Sequence, residues 1–190
     1  MKVTPISKMF FLEGRDAGVP CIFVNFLAKK DAVNMGLNSL VTDILSISKL
    51  RTVAIYGNLS DEPEIKPLIE GLVSKGKQVV FITSAKEDIG PVRGLPKVKF
   101  VLNLTPPNKK SNTIRMSNLP LLKEEDDLKV NIKSVEDYKN AKAFLKSKTI
   151  TRPTILFSTT QWEDASEFND LYLNDCEQFF FKSRLSRVAY

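Results

Sequence analysis

Short apolar runs and segments of helical period take turns along this chain, and that alternation constrains its fold more than any other feature. Residues 19–27 are apolar and rich in β-formers, which reads as a buried strand. Leu37, Leu40, Val41, Ile44, Leu45 and Ile47 then recur at helical spacing on one face. Residues 51–56 are a second strand, ended by Gly57 and Asn58. Residues 64–75 read as a helix with Ile65, Leu68, Ile69 and Leu72 on one side, stopped by Gly76. Further strands are predicted over 78–83, 98–104, 127–132 and 152–157. Between the last two, Ser134 and Asp137 form a capping pair, because the serine oxygen can accept a free N–H of the first turn. That helix runs on through Tyr138, Ala141, Phe144 and Leu145. Residues 177–181 leave strand and helix both open.

Repeated strand, helix and strand units demand right-handed crossovers, so the fold class is α/β with a mainly parallel sheet. Ligands bind such sheets at the carboxyl ends of the strands. The loops to inspect are therefore 27–34, 57–62, 83–88, 105–110 and 158–164.

At 190 residues the chain suits one domain spanning 1–190, large enough to bury a core without staples. Its lack of histidine removes Ser-His-Asp and Cys-His catalysis, imidazole zinc sites and the usual base near neutral pH. Two distant cysteines, Cys21 and Cys176, cannot by themselves make a four-thiolate zinc site or hold an iron–sulfur cluster. They read as reduced, buried thiols. Residues 1–16 lack the apolar run of a signal peptide, and no stretch approaches the ~18 apolar residues of a membrane helix. The expectation is a soluble protein of a reducing, cytoplasmic interior, with no membrane association. The Lys, Asn and Phe usage suits a viral or AT-rich source, which would make the compartment a host cytoplasm.

The net charge is +6, and it is uneven. No acidic residue occurs from Ile89 to Lys123. Arg93, Lys97, Lys99, Lys109, Lys110 and Arg115 lie there as a candidate basic surface, and Lys182, Arg184 and Arg187 follow in the tail. A basic stripe can neutralise phosphates, although no nucleic-acid-binding motif accompanies this one. Other chemistry is sparse. Glu124, Glu125, Asp126 and Asp127 read as a solvated turn, since they lack calcium-loop spacing. Trp162, past the sixth strand, either stacks on a ring-shaped ligand or caps the core.

A family resemblance runs collinearly through these segments. Glu13, Gly14, Gly18, Pro20, Phe23 and Val24 stand where 7-carboxy-7-deazaguanine synthase, the QueE family, opens with E-G-x-x-x-G-x-P-x-x-F-V. Gly57 and the 64–72 segment are similar to its T-G-G-E-P and P-L-I-E-A-L. Residues 79–85 resemble its V-x-x-E-T-N-G, and Asp127 to Lys129 and Ser134 to Tyr138 resemble its E-L-K and S-x-E-D-L. The resemblance implies a partial (β/α)6, TIM-like barrel of the radical S-adenosylmethionine type. It also implies a ligand-binding mouth at Glu13, Gly14, Gly57, Asn58, Thr83 and Trp162. The family places Glu13 at a substrate-facing position; taken alone, the residue reads as an exposed turn glutamate.

The departures cluster. The family carries C-x3-C-x2-C, or a longer-spaced variant, after its first strand, where three thiolates hold a [4Fe–4S] cluster. Residues 26–38 here contain no cysteine. Asp31, the amides and the lone Met35 cannot stand in for thiolates on a soft cluster. Asn58 and Leu59 replace the glycine and glutamate that seat the methionyl amine, and Asn25 replaces a substrate-binding arginine. The resemblance therefore implies a degenerate relative with no catalytic residues, metal or cofactor, kept as a binding, structural or regulatory component. Its partner would be a protein or a second copy of the chain. Two alternatives stay open: an enzyme or binder for a pterin or deazapurine-like ligand, and a basic nucleic-acid-binding accessory protein.

Overall fold

The computed structural model describes residues 1–27, 30–105, 114–148, 150, 152–159 and 172, and the backbone of 183–186. Strand β1 (Lys2–Val3) pairs antiparallel with β4 (Val33–Asn34) as a small ribbon. The main sheet has eight strands. An edge strand β2 (Ser7–Phe10) lies antiparallel to β3 (Pro20–Asn25). β5 (Thr52–Tyr56), β6 (Gln78–Ser84), β7 (Val98–Leu104), β8 (Asp127–Asn131), β9 (Thr154–Ser158) and β10 (Ser183–Ser186) then follow. From β3 to β10 every pairing is parallel.

The parallel strands stand side by side in chain order. Right-handed crossovers in such an order return every connection on the same face. Helices α1 (Leu37–Ile47), α2 (Ile65–Ser74) and α4 (Val135–Ser147) cover that face. A four-residue helix, α3 (Gly90–Arg93), precedes β7, and a 3-10 segment, Met116–Leu121, precedes β8. Ser134 caps α4 as expected: its hydroxyl accepts from Asp137 N at 3.1 Å. Among the described residues the ladder runs from β2 to β10 without returning on itself. No helix among them is long and apolar enough to cross a membrane.

Strand alternation divides the core in two. Ile22, Val24, Val53, Ile55, Phe81, Phe100, Leu102, Leu128 and Val130 face the helices and pack with Leu40, Ile44, Leu68, Leu72 and Ala141. Cys21, Ala54, Val80, Ile82 and Val101 point the other way, where the cover is Phe11. The six predicted strands are all present. The sheet gains β2 and β10 because both are short and carry charge, so neither shows the apolar run that marked the others.

Candidate functional site

The connection between β2 and β3 crosses the helix-free face of the sheet. Phe11 anchors it at 2% exposure, with Phe11 N donating to Val19 O at 2.8 Å and Gly18 N to Phe11 O at 2.7 Å. Gly14 (φ 74°) and Gly18 (φ 94°) make the left-handed bends, which a residue with a Cβ adopts at a cost.

Cross-strand register places successive rows of side chains beneath this turn. Ser84, Asn103, Lys129 and Leu156 form the row toward the carboxyl ends. Tyr56, Ile82, Val101, Asp127 and Thr154 form the middle row, and Ala54, Val80 and Lys99 the row toward the amino ends. The turn meets them in order. Lys129 Nζ donates to Glu13 Oε2 at 2.9 Å. Gly14 rests on Val101 and Asp127. Arg15 donates to Asp127 through N (3.0 Å) and Nε (2.9 Å), and Lys99 Nζ donates to Asp16 Oδ2 at 2.6 Å.

Two carboxylates expected in a solvated turn are fully buried. Asp126 and Asp127 both have 0% exposure. Asp127 opens β8 and Asp126 immediately precedes it, and the two side chains meet different partners. Asp127 lies on the helix-free face, with Lys99 Nζ at 3.1 Å completing its shell. Asp126 accepts from Phe100 N (2.9 Å), Lys123 N (2.8 Å) and Arg93 Nη1 (3.3 Å), with Arg93 Nη2 at 3.1 Å. Burial nevertheless raises the Asp126 pKa, outweighing the two backbone donors and the guanidinium. Glu124 and Glu125 do form an exposed turn; Asp126 and Asp127 depart from that expectation because cations and N–H donors distant in the chain meet them. The acid-free stretch supplies Arg93 and Lys99 as countercharges.

Among the described residues, those of the predicted basic surface lie in different surroundings. Arg93 is buried, its side chain 7% exposed and its guanidinium 5.0 Å above the Phe100 ring. Lys99 is engaged by two carboxylates. Arg115, at the carboxyl end of the sheet, pairs with Asp88 at 3.0 Å, whereas Lys97 lies at the amino end. Lys109, Lys110 and Trp162 fall outside the described residues, as do Cys176 and residues 177–181.

At the carboxyl ends, Asn58 accepts from Thr83 Oγ1 (3.0 Å) and donates to Asp61 Oδ2 (2.8 Å). Ser60 donates to Glu87 through Oγ (2.8 Å) and N (3.1 Å). These bonds tie the loop after β5 to the one after β6. Thr83 is fully buried in the helix-facing register. Gly57 allows close packing, since a Cβ there would lie 2.7 Å from Ile65 Cδ1. Of the predicted mouth residues, Glu13 and Gly14 share the helix-free face, while Gly57, Asn58 and Thr83 form a separate knot at the strand ends.

The sequential parallel sheet has a close counterpart in the crystal structure of QueE from Escherichia coli. The two superpose with a TM-score of 0.67 over 99% of this chain and 94% of that one, at 16% identity. A 7-carboxy-7-deazaguanine synthase from Koribacter versatilis (strain Ellin345) is 26% identical over 189 residues, covering 90% of this chain and 82% of that protein. The chain is QueE-like. No family model matches it.

A cluster of the kind the QueE resemblance implies needs three convergent thiolates. The residues present do not fit one. Segment 26–38 has no cysteine, and β4, inside it, is paired with β1. Cys21 is wholly buried in β3, ahead of that segment, and burial raises its pKa, which disfavours the thiolate a metal requires. Among the described residues no group of three or more Cys, His, Asp or Glu is arranged to hold a metal ion.

On this helix-free face, sequence reasoning missed Arg15 and Tyr56, and it read Lys99 and Asp127 as surface charges rather than partners. A signal was available. Asp127 and Lys129 stand two apart on a strand, so the pair shares a face. An alternating charge in an otherwise apolar strand points to a partner across that face.

Proposed function

We propose that this QueE-like chain builds no iron–sulfur cluster, performs no radical S-adenosylmethionine chemistry, and serves as a binding or regulatory component in the cytoplasm. The observation that carries the reading is the cysteine-free segment 26–38 in a chain otherwise collinear with the synthases. The hydrogen-bonded knot of Asn58, Ser60, Thr83 and Glu87 supports it, because polar groups of the strand ends are satisfied internally. The scaffold binds a protein, either a second copy or a different chain.

Anaerobic reconstitution with iron and sulfide tests the reading. Protein that returns from gel filtration without stoichiometric iron, and gives no heat with S-adenosylmethionine, is the expected result. Four irons and matching sulfide per chain would overturn it. Sedimentation of the purified chain then separates self-association from a requirement for another partner.

Glu13 favours a second reading, a binder of a pterin or deazapurine-like ring. Its side chain is 28% exposed and charge-paired with Lys129, so a polar edge could be read there. Calorimetry with a pterin distinguishes the two, since saturable heat lost in Glu13→Gln belongs to the second reading alone. No nucleic-acid role is put forward, because the described cations are split between a buried pair and the two ends of the sheet.

A further inference from the structure

A cavity of about 440 Å3 opens at the end of the sheet opposite the knot. Thr52, Gln78 and Val98, the first residues of β5, β6 and β7, line its sheet side. The turn after β2 closes it from above through Phe11, Asp16 and Val19. We propose that this cavity binds a small organic anion with an apolar body. The proposal goes beyond the function proposed above and holds whatever the carboxyl end of the sheet does.

Size is the first argument, since small-molecule sites typically enclose about 300–1,000 Å3. Chemistry is the second. Phe11, Val80 and Leu95 give the cavity apolar walls, which favour a ligand that has apolar surface to bury. Lys97, Lys99 and Lys123 face Asp16 and Glu125, an excess of one positive charge. The lysines differ in how far they are already neutralised. Lys99 is held by Asp16 at 2.6 Å and Asp127 at 3.1 Å. Lys123 lies 3.9 Å from Glu125, both of them 55% exposed, so that pair is loose. Lys97 is exposed and has no ion pair among the described residues.

Backbone geometry is the third argument. Lys97 has φ 58°, a conformation glycine or asparagine adopts more readily than lysine. Its carbonyl accepts from Val79 N at 2.9 Å, so the sheet holds the strained bend in place. Such outliers cluster at ligand sites, where surrounding structure maintains them. A lysine on a left-handed bend at the rim of a cavity with apolar walls has the direction of its stem set by the backbone and its ammonium left unpaired among the described residues. A carboxylate, sulfonate or singly charged phosphate diester on an aliphatic or aromatic body matches it.

Anilinonaphthalene sulfonate, an anion on an aromatic body, is the probe. Titration of the native full-length chain, followed by fluorescence and calorimetry, is expected to give one saturable site. Lys97→Asn tolerates the left-handed backbone and removes the charge; it should weaken binding about tenfold, the scale of a lost charged hydrogen bond. Val19→Trp should abolish binding by filling the cavity. Phe10→Ser removes the most exposed of the large apolar side chains among the described residues, one that lies outside the cavity, and should leave binding unchanged. Urea midpoints establish that each variant is folded. Should Val19→Trp not fold, Leu95→Gln serves as the second wall variant and should lose the site. Probe affinity that survives both Lys97→Asn and the wall variant, or that falls with Phe10→Ser instead, overturns the proposal. So does a wild-type chain that shows no saturable site.

Discussion

Gly14 lies directly on Asp127: a Cβ built on the glycine would stand 2.6 Å from the Asp127 Oδ2 atom and 3.3 Å from Val101 Cγ2. The carboxylate cannot swing aside, because Arg15 N, Arg15 Nε and Lys99 Nζ all hold it. Gly14→Ala therefore carries two penalties. One is the left-handed backbone, about 1–2 kcal/mol; the other is displacement of a buried ion pair. Gly18→Ala carries the first alone, since nothing lies within 4 Å of its Cβ position. Urea denaturation should show Gly14→Ala as clearly the more destabilising of the two. Equal losses would mean that the contact with Asp127 contributes nothing.

Asp127 and Glu13 anchor the same turn with unequal weight. Asp127 has 0% side-chain exposure, and its loss leaves the Arg15 and Lys99 charges without their buried partner. Asp127→Ala is expected to cost about 2–3 kcal/mol, the upper part of the range for lost charged hydrogen bonds, since Arg15 is partly exposed and Lys99 keeps Asp16. Glu13 is partly solvated while Lys129 is buried, and Glu13→Gln keeps an acceptor for the ammonium but removes its countercharge, so its cost should be about 1–2 kcal/mol. Equilibrium unfolding of the two variants measures the ratio.

Tyr56 reports the position of Glu13. Burial raises the phenol pKa above 10.0, and the negative charge of Glu13 raises it further. A folded pKa above the unfolded one favours the protonated, folded state. That contribution is whole below pH 10.0 and is lost as pH rises through the folded value. In Glu13→Gln the Tyr56 ring resonances should titrate at a lower pH than in the wild type, though still above 10.0, because burial remains. An unchanged midpoint would place the carboxylate away from the phenol.

Much of the architecture was legible along the chain. Apolar runs located six strands, three helices followed from their spacing, and Ser134 and Asp137 announced the start of α4. These features are local, set by side chains a few residues apart. β2 was not legible, because Ser7–Phe10 pairs by backbone with a strand ten residues later and buries little of its own surface. The candidate site was legible only in part. Glu13 and Gly14 were recognised through the resemblance, whereas their contacts with Lys129 and Asp127 join residues more than a hundred positions apart.

By itself, the sequence determined the α/β class, the absence of histidine chemistry and the missing cysteines of segment 26–38. Those follow from which side chains exist and from their short-range order. The tertiary structure alone decided what the charges do. Asp126 and Asp127 look alike in the chain, yet the fold brings Arg93 to Asp126, just before β8, and Arg15 and Lys99 to Asp127, the first residue of the strand. The physical reason is that a buried charge persists only beside a countercharge or hydrogen-bond donors, and those are brought to it by folding. The acid-free stretch that read as a surface for phosphates thus supplies two of the cations that let these carboxylates be buried.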